Sequence, residues 1–287
     1  MLKPLIVGIG GGVASRIAAA FTKKGISFAA TSSRPLTEYW QLDLTRPREF
    51  DYSLVNSEHL VLLAAAISSP DRCQKEYEIA RQTNVTGTLE FAQRCLEKGA
   101  QVLFFSSDTV YGASLPGNPT FTETDTLNPL GEYAQMKAEA EASLLALGNV
   151  KIVRLSYVFF KQDKFTTYLS KCALNGQEAE VFDPFTRSMV YIQDLIEAIE
   201  AYGDRWIEIH DKLINVGGPS PVSRWDFALK LQELVYPELK LLKIEPPLDF
   251  FKARPRLIAL NTAPFANLLG RPVTPIEEAI AQEFTEI

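Results

Sequence analysis

Short apolar runs alternate with helical patterns through the first half of the chain. The run at 60–66 is continuous, which is typical of a strand whose two faces are both covered by helices. No hairpin signal separates one run from the next, so the alternation predicts βαβ units and a parallel sheet. The predicted strands are residues 5–7, 27–31, 60–66, 102–106 and 151–155.

Helical patterns occupy the intervals between these runs. One helix is predicted over 14–24 and a long helical region over 71–98, each followed by a glycine. A third helix is expected to begin with Asn128 as N-cap and Pro129 as its first residue, and to run to about residue 147. This third helix carries a tyrosine and a lysine four residues apart.

The pattern changes after about residue 157, where proline, aromatic and basic residues become denser, most clearly in 245–255. We therefore predict an α/β fold: a Rossmann-like, doubly wound parallel sheet with a small C-terminal α/β substrate cap. The expected boundaries are 1–157 for the Rossmann-like domain, with 190–217 returning to it, and 158–189 plus 218–287 for the cap.

Composition narrows the function classes. The 287 residues are 46% hydrophobic, enough for a substantial core, and the net charge of −6 argues against nucleic acid as a partner. Cys73, Cys95 and Cys172 form no CxxC pair, so we expect free thiols and no metal site. An apolar strand begins at once, without a signal segment, and the longest apolar run is too short for a membrane. We expect a cytoplasmic protein.

A glycine-rich turn follows the first predicted strand. The spacing is Gly8-x-x-Gly11-x-x-Ala14, and further glycines allow other registers. Glycines let the backbone turn tightly and approach a pyrophosphate, which is held at the positive end of the next helix. The sequence therefore predicts a dinucleotide site, although a turn without a ligand is the plain alternative. Its expected members are Gly8, Gly10, Gly11, Gly12 and Val13.

The second strand ends without the acidic residue that would bind the ribose hydroxyls of NAD. Ser32, Ser33 and Arg34 stand there instead, and hydroxyls with an arginine suit a 2′-phosphate. We therefore expect NADP rather than NAD, unless Arg34 is only a solvated loop residue. Asp43 is a candidate acceptor for the adenine amino group, or a turn residue that caps a helix.

Tyr133 and Lys137 lie four residues apart and so share one face of the third helix. An ammonium near a phenol lowers the pKa of the phenol, and such a phenol exchanges a proton near neutral pH. Ser107 ends the preceding strand, at the sheet edge where ligands bind in doubly wound folds. The three residues fit carbonyl reduction, with Ser107 polarising the carbonyl and Tyr133 protonating it.

Other tyrosine–lysine pairs in the chain have the same spacing. Tyr157 with Lys161 stands at a strand end, and Tyr236 precedes a proline at a helix end. Neither follows a strand whose tip supplies a second hydroxyl, so the pair at 133 and 137 is preferred. The plain alternative is that Ser107 caps a loop and Tyr133 packs in the core.

Taken together, these motifs resemble the extended short-chain dehydrogenases/reductases. The resemblance implies a Rossmann fold, an NAD(P) cofactor and a catalytic set of Ser107, Tyr133 and Lys137, with Lys137 holding the nicotinamide ribose. It also implies that Asp43 and Leu44, and then Ala64, Ala65 and Ala66, lie along the cofactor. The motifs are Gly8-x-x-Gly11, Asp43-Leu44-Thr45, Ala64-Ala65-Ala66, Asn84-Val85-x-Gly87-Thr88, Ser106-Ser107-Asp108-x-Val110-Tyr111-Gly112 and Tyr133-x-x-x-Lys137.

Within this group the chain is most similar to the dTDP-4-dehydrorhamnose reductases, through Ser107-Asp108, 222–228 and 254–262. Two features depart: 187–195 is more similar to the sugar-nucleotide epimerases, and Thr109 stands where the reductases usually carry tyrosine. The expected substrate residues are Ser107, Asp108 and Thr109, with Arg187 and Arg254 for a diphosphate. Plain surface or loop charges are the alternative for both arginines.

Three hypotheses follow for function. The first is an NADP-dependent reductase of a 4-keto sugar nucleotide, a homodimer by family resemblance. The second is an NAD(P)-dependent epimerase or dehydratase of sugar nucleotides, which the segment 187–195 favours. The third is a regulatory subunit that binds NADP without required turnover, similar to the β subunit of methionine adenosyltransferase.

Overall fold

The computed structural model describes residues 1–114 and 120–285. Its strands in chain order are β1 (Lys3–Val7), β2 (Ala29–Ser32), β3 (Trp40–Gln41), β4 (His59–Leu63), β5 (Gln101–Ser107), β6 (Val150–Leu155), β7 (Val158–Phe159), β8 (Glu178–Phe182), β9 (Thr186–Arg187), β10 (Val190–Tyr191), β11 (Leu213–Val216), β12 (Val222–Ser223), β13 (Lys240–Ile244) and β14 (Leu257–Ile258).

The α-helices are α1 (Gly12–Lys24), α2 (Pro70–Lys75), α3 (Tyr77–Arg81), α4 (Thr88–Glu97), α5 (Gly131–Leu145), α6 (Lys164–Leu174), α7 (Ile192–Arg205), α8 (Arg224–Leu234), α9 (Ala263–Leu269) and α10 (Ile276–Thr285). A π-helical turn, Gln82–Gly87, joins α3 to α4. Short 3₁₀ helices occupy Pro47–Glu49, Tyr52–Leu54, Asp108–Tyr111 and Leu248–Lys252.

Seven strands form one sheet in the order β11-β6-β5-β4-β1-β2-β3, and every neighbouring pair is parallel. The chain leaves β1 towards β2 on one side and returns through β4 on the other. The strand order therefore reverses at β1, and ligands in such sheets bind beyond the carboxyl ends of the strands at this reversal. The predicted Rossmann-like parallel sheet is confirmed.

Side chains of the central strands are buried on both faces of this sheet. Leu5 and Val61 pack into the core cluster shared with α4 and α5, whereas Ile6 and Leu62 pack into the cluster shared with α1 and α7. Successive residues of a strand point to opposite faces, so a strand covered by helices on both sides needs an unbroken apolar run. This is why β4 carries no polar residue between His59 and Leu63.

Smaller sheets are built from the second half of the chain. β13 pairs in parallel with β8, and β9 lies between β12 and β14. α9 packs against α7 and β11, beside the large sheet. The core cluster that contains Ile6 of β1 also contains Phe165 of α6 and Phe227 of α8, so apolar packing is continuous from the sheet into these elements.

The helix that carries Tyr133 and Lys137 begins later than predicted. Its first residue is Gly131 and its N-cap is Leu130, so the assignment of Asn128 as N-cap is wrong. Gly131 has a φ of 76°, and a Cβ built on it would lie 2.6 Å from the Cβ of Ala253. A right-handed helix does not extend back through this conformation.

Two elements are also shorter than predicted. β4 ends at Leu63, which leaves Ala64–Ala66 in the loop at the carboxyl edge, and the π-helical turn interrupts the predicted helix 71–98. No helix in the described ranges is apolar over a length that would cross a bilayer. Among the same residues, no three His, Cys, Asp or Glu side chains come together as metal ligands.

Candidate active site

Gly8 is placed where β1 meets the loop after β4. Its φ is 89°, and a Cβ built on it would lie 2.7 Å from the Cβ of Ala65. Its backbone N–H donates to the Thr31 hydroxyl at 3.3 Å. Only glycine satisfies both the positive φ and the close approach. Gly8 thus allows β1, β2 and the loop after β4 to meet at the point where the strand order reverses.

The next three glycines expose the start of α1. Gly11 is the N-cap, no side chain caps the helix, and its first turn contains no acidic residue. Nothing lies within 4 Å of a Cβ built on Gly10, and Gly12 meets only the ring of Phe160, at 3.4 Å. Val13 is half-buried and packs against the core. Open backbone at a helix N-terminus is the arrangement that binds a pyrophosphate.

The residues at the end of β2 form a short polar turn. Ser32 is buried, and its hydroxyl accepts a hydrogen bond from the Arg34 backbone N–H at 3.1 Å. Ser33 and Arg34 are exposed, and no described residue forms an ion pair with Arg34. The guanidinium at this edge is therefore available to a phosphate.

Asp43 and Leu44 are engaged with the protein itself. Asp43 Oδ1 accepts from the backbone N–H of Thr45 at 2.8 Å and from its hydroxyl at 2.7 Å. Burial raises the pKa of Asp43, but these hydrogen bonds and Arg46 outweigh it, so the pKa is lowered. The carboxylate therefore orders the turn at Thr45, and the Leu44 side chain packs in the core.

Asn84 holds the loop that follows β4. It is buried on the π-helical turn; its Oδ1 accepts from the Ile67 N–H at 2.8 Å, and its Nδ2 donates to the Ile67 carbonyl at 2.9 Å. Both backbone groups of one loop residue are thereby fixed, and with them the path of Ala64–Ala66 beside Gly8. In the sequence Asn84 is only part of a motif; its contact with Ile67 depends on the fold, although a buried asparagine requires partners.

Ser107, Tyr133 and Lys137 come together at the carboxyl end of β5. Lys137 is buried, its Nζ donates to the Phe105 carbonyl at 2.7 Å, and it lies 4.4 Å from the centroid of the Phe104 ring. Burial lowers the pKa of Lys137 to about 8, against the opposing effect of Glu141. This ammonium is held by β5 one helical turn from Tyr133.

Tyr133 is half-buried and packs against an apolar cluster formed by Cys73, Ala80, Val85 and Met136. Burial raises the pKa of Tyr133 and the charge of Asp108 raises it further, while a hydrogen bond with Ser107 lowers it. We expected Lys137 to lower this pKa below its ordinary value, and that expectation is wrong. The ammonium donates to the Phe105 carbonyl, and the charge that acts on the phenol is that of the buried Asp108 carboxylate.

Asp108 and Arg187 form a buried ion pair beside Ser107. The Arg187 Nε lies 3.8 Å from Asp108 Oδ2, and the Ser156 hydroxyl donates to the same oxygen at 2.8 Å. Burial raises the pKa of Asp108, and Arg187 opposes this. The pair joins the end of β5 to β9, far apart in sequence, and it keeps the Asp108 carboxylate below the surface of the site.

Thr109 takes part in the turn that fixes Ser107. Its backbone N–H and its hydroxyl both approach Ser107 Oγ, at 3.3 and 3.0 Å, while Ser107 donates to Asp108 Oδ1 at 3.3 Å. The Ser107 hydroxyl is therefore oriented by its own loop.

Arg254 lies on a segment that covers the start of α5. It pairs with the exposed carboxylate of Asp71 at 2.7 Å, and its neighbour Ala253 contacts Gly131. Arg187 donates to the Pro255 carbonyl at 2.8 Å. Arg187 thus lies buried beside Asp108 at the carboxyl end of β5. Arg254 is partly exposed and lies near the start of α5.

One family model accounts for almost the whole chain. The model described as RmlD substrate binding domain matches residues 2–286. The chain belongs to this family. This membership confirms the resemblance to the extended short-chain dehydrogenases/reductases that the motifs of the chain indicated.

Named relatives and solved structures agree with this assignment. The chain is 26% identical over 226 residues to a dTDP-4-dehydrorhamnose reductase of Mycobacterium tuberculosis (strain CDC 1551 / Oshkosh), and the alignment covers 77% of this chain and 71% of the relative.

A dTDP-4-dehydrorhamnose reductase from Bacillus anthracis str. Ames, solved in complex with NADP, superposes on this chain with a TM-score of 0.83 at 20% identity, and the superposition covers 100% of this chain and 99% of that one. A UDP-glucuronic acid 4-epimerase from Bacillus cereus, solved with UDP-glucuronic acid and NAD, gives 0.77 at 18% and covers 99% and 98%. At these identities the structures show a shared fold.

Proposed function

We propose that this RmlD-family chain is an NADP-dependent reductase of a 4-keto sugar nucleotide. The observation that carries the proposal is that Ser107, Tyr133 and Lys137 meet at the carboxyl end of β5, at the same edge of the sheet as the glycine turn after β1. The family and the relatives named as dTDP-4-dehydrorhamnose reductases support the same substrate class.

The edge of the sheet fits a dinucleotide. The uncapped start of α1 would hold the pyrophosphate, and a Cβ at Gly8 would close the space where β1 approaches Ala65. Ser33 and Arg34 would contact a 2′-phosphate, which is why we propose NADP rather than NAD. When bound, the reduced nicotinamide supplies a hydride to the carbonyl carbon.

The chain's own residues orient the carbonyl and supply the proton. The Ser107 hydroxyl accepts a hydrogen bond from Thr109, and its one proton would turn from Asp108 Oδ1 to the carbonyl oxygen of the substrate. Tyr133 would protonate that oxygen as it becomes an alkoxide. Burial and Asp108 raise the pKa of Tyr133, so the phenol keeps its proton at neutral pH. That proton would pass to the alkoxide, because an alkoxide is a stronger base than a phenolate. Lys137 supplies positive charge beneath the site.

Epimerisation is the second candidate, because the segment 187–195 resembles the epimerases and Arg187 lies beside the catalytic loop. An epimerase first needs a base to remove a hydroxyl proton, and Tyr133 would have to act as that base. Incubation with NADPH and a panel of 4-keto sugar nucleotides separates the two. A reductase consumes one NADPH per product and adds two hydrogens, whereas an epimerase consumes none. Binding without turnover, together with co-purification of a larger enzyme, would instead support a regulatory subunit.

We also propose a cytoplasmic homodimer. Three free, buried cysteines suit a reducing compartment, and Ile79 on α3 is an exposed apolar side chain that a second copy would cover. Light scattering of the purified chain tests the dimer, and replacing Ile79 with Lys should shift it to monomer.

A further inference from the structure

Three arginines gather around one pair of aromatic rings on the cap side of the site. The guanidinium carbons of Arg187 and Arg224 lie 4.4 and 4.7 Å from the ring centroid of Phe185. Phe250 packs against Phe185 at 5.1 Å between centroids and carries Arg254 at 4.9 Å. Like charges this close repel one another, so the cluster favours an anion among them.

Two of these arginines already have partners. Arg187 pairs with Asp108 and donates to two backbone carbonyls, one of them that of Pro255. Arg254 pairs with Asp71. Their positions are set by contacts within the chain.

Arg224 differs from both. It is half-buried between the rings of Phe165, at 4.9 Å, and Phe185, and its guanidinium makes no ion pair or hydrogen bond with any residue of 1–114 or 120–285. Asp163 is the carboxylate whose charge acts on it, but Asp163 accepts hydrogen bonds from the Tyr157 hydroxyl and from the Thr166 backbone and hydroxyl. The donors of this partly buried cation are thus not used by the described residues and are free to meet an anionic ligand.

The location of Arg224 connects it to the catalytic edge. It is the first residue of α8, and its backbone N–H donates to the Phe185 carbonyl at 3.0 Å. The strand before it pairs with β9, which carries Arg187, and Arg187 contacts Asp108 beside Ser107. An anion on Arg224 would therefore lie on the cap side of a sugar held at Ser107.

We propose that Arg224 anchors the diphosphate of the nucleotide part of the substrate, an assignment that rests on the proposed function. The planar guanidinium fork matches two oxygens of a phosphate group, and the two flanking rings hold the fork in place. Arg224 is thus a binding residue, separate from the proton-donating set.

The test measures binding of UDP and of dTDP to the NADPH-loaded protein by calorimetry, for the wild type, Arg224→Gln and Arg224→Lys. Loss of a charge-assisted contact should weaken nucleoside diphosphate binding about tenfold to hundredfold in the glutamine variant, with partial recovery in the lysine variant. NADPH affinity and thermal stability without UDP should match the wild type. Arg48→Gln removes the same charge from an exposed site paired with Glu90 and should change nothing.

Each failure has its own signature. Equal UDP affinity in wild type and Arg224→Gln, or no nucleoside diphosphate binding by the wild type, would overturn the assignment of Arg224. A fall in thermal stability without a change in UDP affinity would also overturn it and leave a packing role. Weakened UDP binding in a protein that reduces no keto sugar would support Arg224 and refute the reductase.

Discussion

The Nζ atom of Lys137 donates a hydrogen bond to the carbonyl oxygen of Phe105 at 2.7 Å. This contact fastens α5 to β5, the two elements that carry Tyr133 and Ser107. It also places a charge in a buried position, which lowers the pKa of the Lys137 ammonium from 10.5 to about 8. The catalytic edge therefore contains a cation whose charge is destabilising to the fold.

Replacement of Lys137 by Met should reveal this cost as a pH dependence. Between about pH 8 and pH 10.5 the unfolded lysine binds more protons than the folded one, so the wild type gains stability as the pH rises. The free energy of unfolding of the wild type, relative to Lys137→Met, should rise by about 1.4 kcal/mol per pH unit in that window. Urea titrations at several pH values measure it. Parallel curves would contradict a buried charge, and the exposed Lys171→Met serves as control.

Replacement of Asn84 by Ala should loosen the loop after β4. The Ile67 N–H and carbonyl lose their partners, at a cost of about 2 kcal/mol in the free energy of unfolding. NADPH affinity should also fall, because Ala64–Ala66 lose their fixed path. Asn267→Ala, on the exposed side of α9, should change stability by less than about 0.5 kcal/mol. A silent Asn84→Ala variant would show that the loop is held by other contacts.

Two glycines of the same turn should respond differently to alanine. Gly8→Ala places a methyl group at a φ of 89° and 2.7 Å from Ala65, so it should destabilise the protein by more than about 1 kcal/mol. A Cβ at Gly10 meets nothing within 4 Å, so Gly10→Ala should leave the melting temperature unchanged. Differential scanning calorimetry compares them, and equal melting temperatures would argue against the close approach of β1 to the loop.

Replacement of Arg34 by Gln tests the preference for NADP. Loss of a guanidinium–phosphate contact should raise KM for NADPH about tenfold, whereas KM for NADH should stay the same. Steady-state kinetics of the wild type and Arg34→Gln measures KM for NADPH and KM for NADH, so NADH serves as the internal control. An equal effect on both cofactors, or none, would place Arg34 outside the phosphate site.

Local patterns in the sequence were sufficient for the sheet and for the spacing of the catalytic candidates. Tyr133 and Lys137 share a helix face because of their separation of four, and Ser107 ends a strand because an apolar run stops there. Contacts between residues far apart in the chain could not be predicted from these local patterns. Gly131, at the start of α5, lies against Ala253, more than a hundred residues away in sequence, and the partner of Asp108 is Arg187.

Residues of the candidate site also differ in how far local sequence predicts them. The glycine turn could be located because its function requires a particular backbone, whereas the direction of the Tyr133 pKa depends on Asp108 and on burial. The open guanidinium of Arg224 depends on what surrounds it in three dimensions, and a motif gives no information about that.

The proposed role of Tyr133 is to donate the proton in an NADPH-dependent carbonyl reduction. The most direct test is the loss of NADPH absorbance with dTDP-4-dehydrorhamnose, for the wild type and Tyr133→Phe at matched cofactor saturation. We predict stoichiometric oxidation by the wild type, and a rate about a hundredfold to ten-thousandfold lower for Tyr133→Phe with unchanged NADPH affinity. Equal rates for the two proteins would contradict the account.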